Sequence, residues 1–269
     1  MRIWYQSLVD GGRMPAYFEG LAERAGRIAR PGVEVRFASM PEGAYGKHVP
    51  ADVVIYPYLM SLQIQFILDN ALKAEAEGYD VFAIGSVQDP ALEEARSLLE
   101  IPVVGYGEAA MHFACTLASR FVVVVFQAGF DQMMDLRVRR LGLAERALPS
   151  VLMDATTFND VGQALSTPAQ LVERFCETAR GAIRQGAEAI IPGQLYLSEA
   201  IARAGVTRID DAPIMDALAC TLKMAEAMAD LKALGIGVTR RGYTHARPPS
   251  EMVDQVRALH RRAPVVPGK

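Results

Sequence analysis

Cysteine is scarce in this chain. There are three, Cys115, Cys176 and Cys220, far apart, with no Cys-x-x-Cys pair and no Cys/His pair suited to zinc. That spacing excludes a thiolate zinc site. Each lies in a helix-like stretch and reads as a small buried hydrophobe. No apolar run approaches the roughly 18 residues that span a bilayer. Met1 to Val9 is strand-like, without a basic leader or a small-residue cleavage site, so no membrane partner and a cytoplasmic location are expected. Neither sign of charge dominates: 28 Lys and Arg face 31 Asp and Glu, for a net charge of −3, and the basic residues are dispersed. Nothing here calls for nucleic acid; a small-molecule substrate is expected. There is no P-loop, and Gly105-Tyr106-Gly107-Glu108-Ala109-Ala110 lacks the third glycine of a dinucleotide fingerprint. No His/Asp/Glu cluster has metal-ligand spacing, so neither a cofactor nor a metal is expected.

With hydrophobic residues making up 51% of 269, the chain can build one large core or two modest ones. Short apolar runs that read as buried parallel strands alternate with stretches of helical period, the pattern of an α/β sheet. The runs are Arg2 to Gln6, Val33 to Ala38, Val81 to Gly85, Val103 to Gly105, Phe121 to Phe126, Ser150 to Met153, Ala189 to Pro192 and Arg208 to Asp210. Glu77 to Gly85 aligns with Gln185 to Gly193 at an offset of 108 residues, and Pro102-Val103-Val104 has its counterpart in Pro213-Ile214-Met215. Two copies of one lobe are predicted. The longest helical pattern, Ala217 to Leu234, follows the second copy, which predicts a return to the first lobe. The expected boundaries are 1–105 plus 215–269 for one lobe and 106–214 for the other. The tail after Gly235 reads as loop, one short helix and a frayed end at Pro267-Gly268-Lys269.

In open parallel sheets, ligands collect at the carboxyl ends of strands, where the next helix offers free N–H groups. Ser86 and Gln194 occupy that place in the two copies. After Ser86, Asp89 is expected as a helix N-cap with Pro90 in the first turn. The segments Gly85-Ser86-Val87-Gln88-Asp89-Pro90-Ala91-Leu92 and Pro102-Val103-Val104-Gly105-Tyr106-Gly107-Glu108-Ala109 resemble the hydantoin and allantoin racemase branch of the aspartate/glutamate/hydantoin racemase superfamily. That branch carries Cys, two variable residues, Asp-Pro-Gly-Leu, and then Pro-Val-Val-Gly-x-Gly-Glu-Ala. Gly193-Gln194-Leu195-Tyr196-Leu197 is similar to its second strand-end, Gly-Cys-Ala-Gly-Met.

The resemblance implies an α/β fold of two flavodoxin-like lobes with parallel sheets, related by pseudo-twofold symmetry, with the active site in the cleft between them. It also implies two thiols facing the substrate carbon from opposite sides as base and acid. This chain departs at both positions, with Ser86 for the first thiol and Gln194 for the second, which excludes two-thiol racemisation. Families of this kind commonly form homo-oligomers, and one is expected here.

Three functions stay open. In the first, a metal-free hydrolase of a small amide, imide, cyclic ureide or lactone uses Ser86 as nucleophile or water-orienting group, with the Val87 and Gln88 N–H groups as oxyanion donors and Gln194 holding the polar end. Its base is sought among the histidines, with His48, in the Gly43 to Pro50 loop that could close over the cleft, as the catalytic candidate; His245 and His260 lie in the tail. In the second, an isomerase or decarboxylase uses other acids and bases, such as Glu108 with His112, or Tyr58. The third is a binding protein without catalysis. The resemblance carries substrate contacts to Gln6 and Ser7 at the end of the first strand, and to Phe126 and Gln127 at its counterpart, with Gly193, Leu195 and Tyr196 at the second strand-end. Glu108, His112 and Asp216 are expected in support, Asp216 either capping a helix or touching the cleft.

Overall fold

The computed structural model describes residues 1–12, 14–153 and 168–262. The first half runs β1 (Arg2–Asp10), α1 (Pro15–Ile28), β2 (Glu34–Met40), α2 (Pro50–Val54), α3 (Pro57–Ala76), β3 (Val81–Gly85), α4 (Leu92–Leu98), β4 (Val103–Gly105) and α5 (Tyr106–Leu117). The second runs β5 (Phe121–Val125), α6 (Phe130–Arg140), β6 (Val151–Leu152), α7 (Pro168–Arg184), β7 (Ala189–Pro192), α8 (Leu195–Arg203), β8 (Arg208–Ile209) and β9 (Ala212–Pro213). Helices α9 (Ala217–Ala233) and α10 (Ser250–Arg262) follow.

The strand order is β2-β1-β3-β4 in one parallel sheet and β6-β5-β7 in the other. Ile214 extends the second sheet by a parallel bridge to Ile190, where the first sheet pairs Phe82 with Val103. Each lobe therefore has flavodoxin-like order, and the sequence repeat is visible in the register. Ile3 faces Val81 in one sheet and Phe121 faces Ala189 in the other. The central strands β3, β5 and β7 are buried at every residue. That is why they are apolar without alternation, and β-branched valine fills β5 because it suits the pleat and needs no polar partner. Helix α9 packs on β3, α5 and α1 of the first half.

Three expectations need correction. The Arg208 to Asp210 run is not a parallel strand. Asp210 turns left-handed (φ 49°), and Arg208–Ile209 folds back antiparallel on Ala212–Pro213, a turn that aspartate tolerates better than most residues. The longest described helix is α3, of 20 residues, rather than α9, of 17. Only Cys220 is buried, whereas Cys115 and Cys176 are half-buried, each packed at the margin of a core cluster. Helix α10 matches the expected short helix, and Pro267-Gly268-Lys269 lies outside the described residues.

Candidate active site in the interlobe cleft

The two central strands end on glycine because nothing larger fits. A Cβ on Gly85 would lie 2.3 Å from the Tyr5 ring, and one on Gly193 would lie 2.3 Å from the Val125 side chain. Real Cβ atoms do not approach so closely, so each strand end sits tight against its neighbouring strand. Ser86 and Gln194 are carried at the next position.

The chain does not pass from Ser86 straight into a helix. Residues 86–89 form a turn closed by the Asp89 N–H on the Ser86 carbonyl at 3.1 Å, and α4 begins only after left-handed Ala91 (φ 64°). The N–H groups of Val87 and Gln88 have no hydrogen-bond partner among the described residues. They are free donors in a turn rather than the first turn of a helix.

Asp89 is not the cap of its own helix, and Pro90 sits in the turn rather than at a helix start. The Asp89 carboxylate accepts from the Gly107 and Glu108 N–H groups of α5, at 2.8 and 2.7 Å, and from Arg137 of α6 at 2.9 Å. An anion is favourable at a helix N-terminus, and the Gly-Tyr-Gly sequence makes the close approach feasible. A Cβ on Gly105 would fall 2.3 Å from the carboxylate, and one on Gly107 would fall 2.1 Å from the Val87 carbonyl oxygen. The glycines that resemble half a nucleotide fingerprint thus cradle the protein's own carboxylate. A second buried cluster ties Arg24 of α1 to Glu199 of α8 and to Asp216 at the head of α9. Tyr106 adds a bond from its hydroxyl to the Pro192 carbonyl. These ionic and polar contacts tie the two lobes together beside the cleft.

Burial pushes the Asp89 carboxyl up to about 6, against the pull of Arg137 and the two N–H donors. The folded chain therefore holds this proton more tightly than the unfolded chain. The part of the stability that depends on Asp89 holding this proton is full below about pH 4 and is lost as pH rises through about 6. Asp89→Asn, which cannot titrate, should flatten the pH dependence of denaturant unfolding between those values. An unchanged slope would assign it to another group.

Gln194 takes the N-cap position of α8 in an extended conformation but leaves the helix uncapped. Its Oε1 accepts from the Phe126 N–H at 3.3 Å, and its Nε2 is buried without a partner. Gln88 is likewise orphaned at both amide atoms. These groups meet in a small cavity of about 60 Å³. The first half supplies Ser7, Ser86, Val87 and Gln88, and the second supplies Phe126, Gly193, Gln194, Leu195 and Tyr196. Sequence reasoning missed Leu8, Val9, Ala51, Val54 and Phe130. Leu8 and Val9 were within reach, since β1 runs past Gln6 to Asp10; of the Gly43 to Pro50 loop, Pro50 alone is among the described residues lining the cavity. No acidic, basic or histidine side chain is among the described residues lining the cavity, and burial raises the Tyr196 hydroxyl above its ordinary range.

The remaining candidates lie elsewhere. His48 is exposed ahead of Pro50 and does not line the cavity; a Gly-rich loop carries it outward. The Gln6 amide is held in the first lobe's core, where its Oε1 accepts from Asn70 at 2.8 Å and Trp4 at 3.3 Å. Gln127 donates to the Ala51 carbonyl at 3.2 Å, bracing a cavity wall rather than facing the cavity. Tyr58 is 73% exposed on α3. Glu108 is clamped by Arg96 in two bonds of 2.9 and 3.0 Å, and His112, one turn on, is exposed. Asp216 caps α9 through the Ala219 N–H at 2.9 Å and does not reach the cavity.

The model of the Asp/Glu/Hydantoin racemase family matches residues 15–225. A hydantoin racemase of Pseudomonas sp. (strain NS671) is 29% identical over 217 residues, covering 80% of this chain and 82% of that one. The structure of the allantoin racemase from Klebsiella pneumoniae superposes with a TM-score of 0.70 at 25% identity, covering 93% of this chain and 94% of that one. The allantoin racemase from Pseudomonas fluorescens, at 21% identity, covers the whole of both chains with a TM-score of 0.75 and so shares the fold. With paired flavodoxin-like lobes, a cleft between them and a family match over most of its length, the chain belongs to the Asp/Glu/Hydantoin racemase family.

Proposed function

We propose that this protein is an isomerase of a small uncharged cyclic ureide or amide, moving a proton at the carbon beside a carbonyl. The carrying observation is the character of the cavity: its polar groups are neutral, and the Gln194 Nε2 and the Gln88 amide are buried and unpartnered. A carboxylate substrate would need a cation to offset its desolvation, and none is among the described residues lining the wall. A ring of alternating N–H and C=O groups offers the donors and acceptors that two orphaned amides require. Relatives named as hydantoin and allantoin racemases support that substrate class.

In the proposed step the ring C–H bond breaks, its proton passes to water, and the electron pair moves onto the carbonyl oxygen. The Val87 and Gln88 N–H groups and the Gln194 Nε2 are donors for that developing enolate. Ser86 holds the water, which returns a proton to either face. Hydrolysis through Ser86 fits less well, because a serine nucleophile needs a base to take its proton, and His48 and His112 are both outside the cavity. Glu108, His112 and Tyr58 lie outside it too, so they are not the acid and base of the isomerase.

A single enantiomer of a 5-substituted imidazolidine-2,4-dione, incubated with the protein in D2O, should gain deuterium at the ring carbon and lose optical rotation together. Both rates should exceed those in buffer, with no ring-opened product. Ring opening would restore the hydrolase. Saturable binding with exchange no faster than in buffer would favour a second reading, a non-catalytic binder.

A further inference from the structure

Helix α3 is apolar on two opposite sides. One side, with Gln63, Ile67, Leu68, Ala71 and Ala74, is buried where the helix packs on β1 and β3. The other carries Tyr58, Leu62 and Phe66 at every fourth position, 73%, 48% and 41% exposed, with Ser61 and Gln65 exposed beside them. A helix with apolar residues all round is ordinarily covered on every side. No charged residue occurs in the 16 positions from Val53 to Leu68, although charged residues make up 22% of the chain. Protein interfaces show that combination, with charge depleted at the centre and tyrosine and phenylalanine enriched. Asp69, which ends the run one turn after Phe66, is paired with Arg257 of α10. Beside Arg257, α10 presents a second exposed apolar seam of Met252, Val256 and Leu259.

We propose that this face is the interface of a homodimer, formed by α3 and α10 of two copies about a twofold axis at Leu62. A twofold contact sets each residue near its axis against its own twin, so a charge there would meet a like charge. The uncharged run satisfies that condition, and the nearest charge on α3, Asp69, is already offset by Arg257 of its own chain. With the two α3 helices antiparallel, Leu62 packs on the partner's Leu62 and Tyr58 on the partner's Phe66. Ridges spaced by four residues then enter the grooves of an identical helix. The six apolar side chains offer about 600 Å², taking about 200 Å² for a whole aromatic side chain, out of the roughly 800 Å² that each partner of a stable dimer buries. Ser61 and Gln65 supply a polar margin. The uncharged run also reaches the candidate site, because Val54 lines the interlobe cavity. A second copy on α3 therefore steadies one wall of the cleft. The dimer does not depend on which substrate the cavity takes.

Sedimentation equilibrium on the full chain at micromolar concentration should show a dimer. Leu62→Asp places two like charges at the axis and should raise the dimer's Kd by at least about 100-fold, as loss of a central anchor does, with an unchanged far-UV circular dichroism spectrum. Phe66→Asp should do the same and serves if the first variant does not fold. Leu234→Asp, at an exposed leucine after α9, should leave the dimer intact. Leu62→Cys should be coupled to its twin by a short bismaleimide under conditions in which the wild-type chain is not. A wild-type chain that sediments as a monomer would overturn the proposal, and so would an oligomer that survives both aspartate changes. A monomer that floats with phosphatidylcholine vesicles, and no longer does so as Leu62→Asp, would assign the stripe to a lipid surface and overturn it as well.

Discussion

Replacing Ser86 and Gln194 together with cysteine should raise racemisation of a bound 5-substituted imidazolidine-2,4-dione by at least about 100-fold over wild type, the low end of what positioned general acid–base groups contribute. Both positions already face one cavity from the two lobes. Both also sit where a thiolate is favoured. Position 194 is the N-cap of α8, at the positive end of the helix. Position 86 lies beside the unpartnered N–H groups of Val87 and Gln88. The double change loses the bond from the Phe126 N–H to Gln194, which costs about 1 kcal/mol and leaves the fold intact. Each single variant supplies an acid–base group to one face alone, so deuterium wash-in should rise more than racemisation does. Polarimetry and NMR on the same samples separate the two rates. A double variant with wild-type melting temperature and ring affinity, yet no faster than wild type, would show that the cleft no longer holds a carbon acid between positions 86 and 194.

Much of this site was legible in the sequence for a physical reason. A parallel strand buried on both faces leaves an unbroken apolar run, and its glycine terminus marks where the backbone must hug a neighbour. Gly85-Ser86 and Gly193-Gln194 could therefore be found without coordinates. Asp89 could not be assigned in the same way. Asp-Pro reads locally as a helix start whether the carboxylate caps its own helix or one that begins at Tyr106, and only the packing of α5 and α6 decides. Gln6 and Gln127 illustrate the same limit: a strand-end amide satisfies its bonds wherever partners are nearest, here Asn70 and Ala51. His48 and His112 lie outside the cavity, which the sequence did not show, because a short motif states a residue's neighbours in sequence and says nothing of the side to which a loop such as 43–50 turns.

Asp89→Ala should destabilise the protein by about 3 kcal/mol at pH 7, the low end for breaking a buried ion pair by removing one partner. For a chain of this size that corresponds to a fall in Tm of about 10 °C. The loss has two sources. Arg137, 7% exposed and with its Nε already unpartnered, keeps only the longer contacts to Glu93 and Glu108, at 3.5 and 3.8 Å. The Gly107 and Glu108 N–H groups at the start of α5 also lose their shared acceptor. Because the same carboxylate anchors the 86–89 turn, ring affinity should weaken even at temperatures where the variant is fully folded, and calorimetric titration at 20 °C would detect it. A double-mutant cycle distinguishes an interlobe lock from a generally fragile loop. Asp89→Ala with Arg137→Met removes both charges and should recover a large part of the stability lost in Asp89→Ala alone, because an apolar pair in a buried site is cheaper than one orphaned charge. If the two single effects add within about 0.5 kcal/mol, the pair is uncoupled. The lobes would then be held by the Arg24 cluster with Glu199 and Asp216 and not by Asp89.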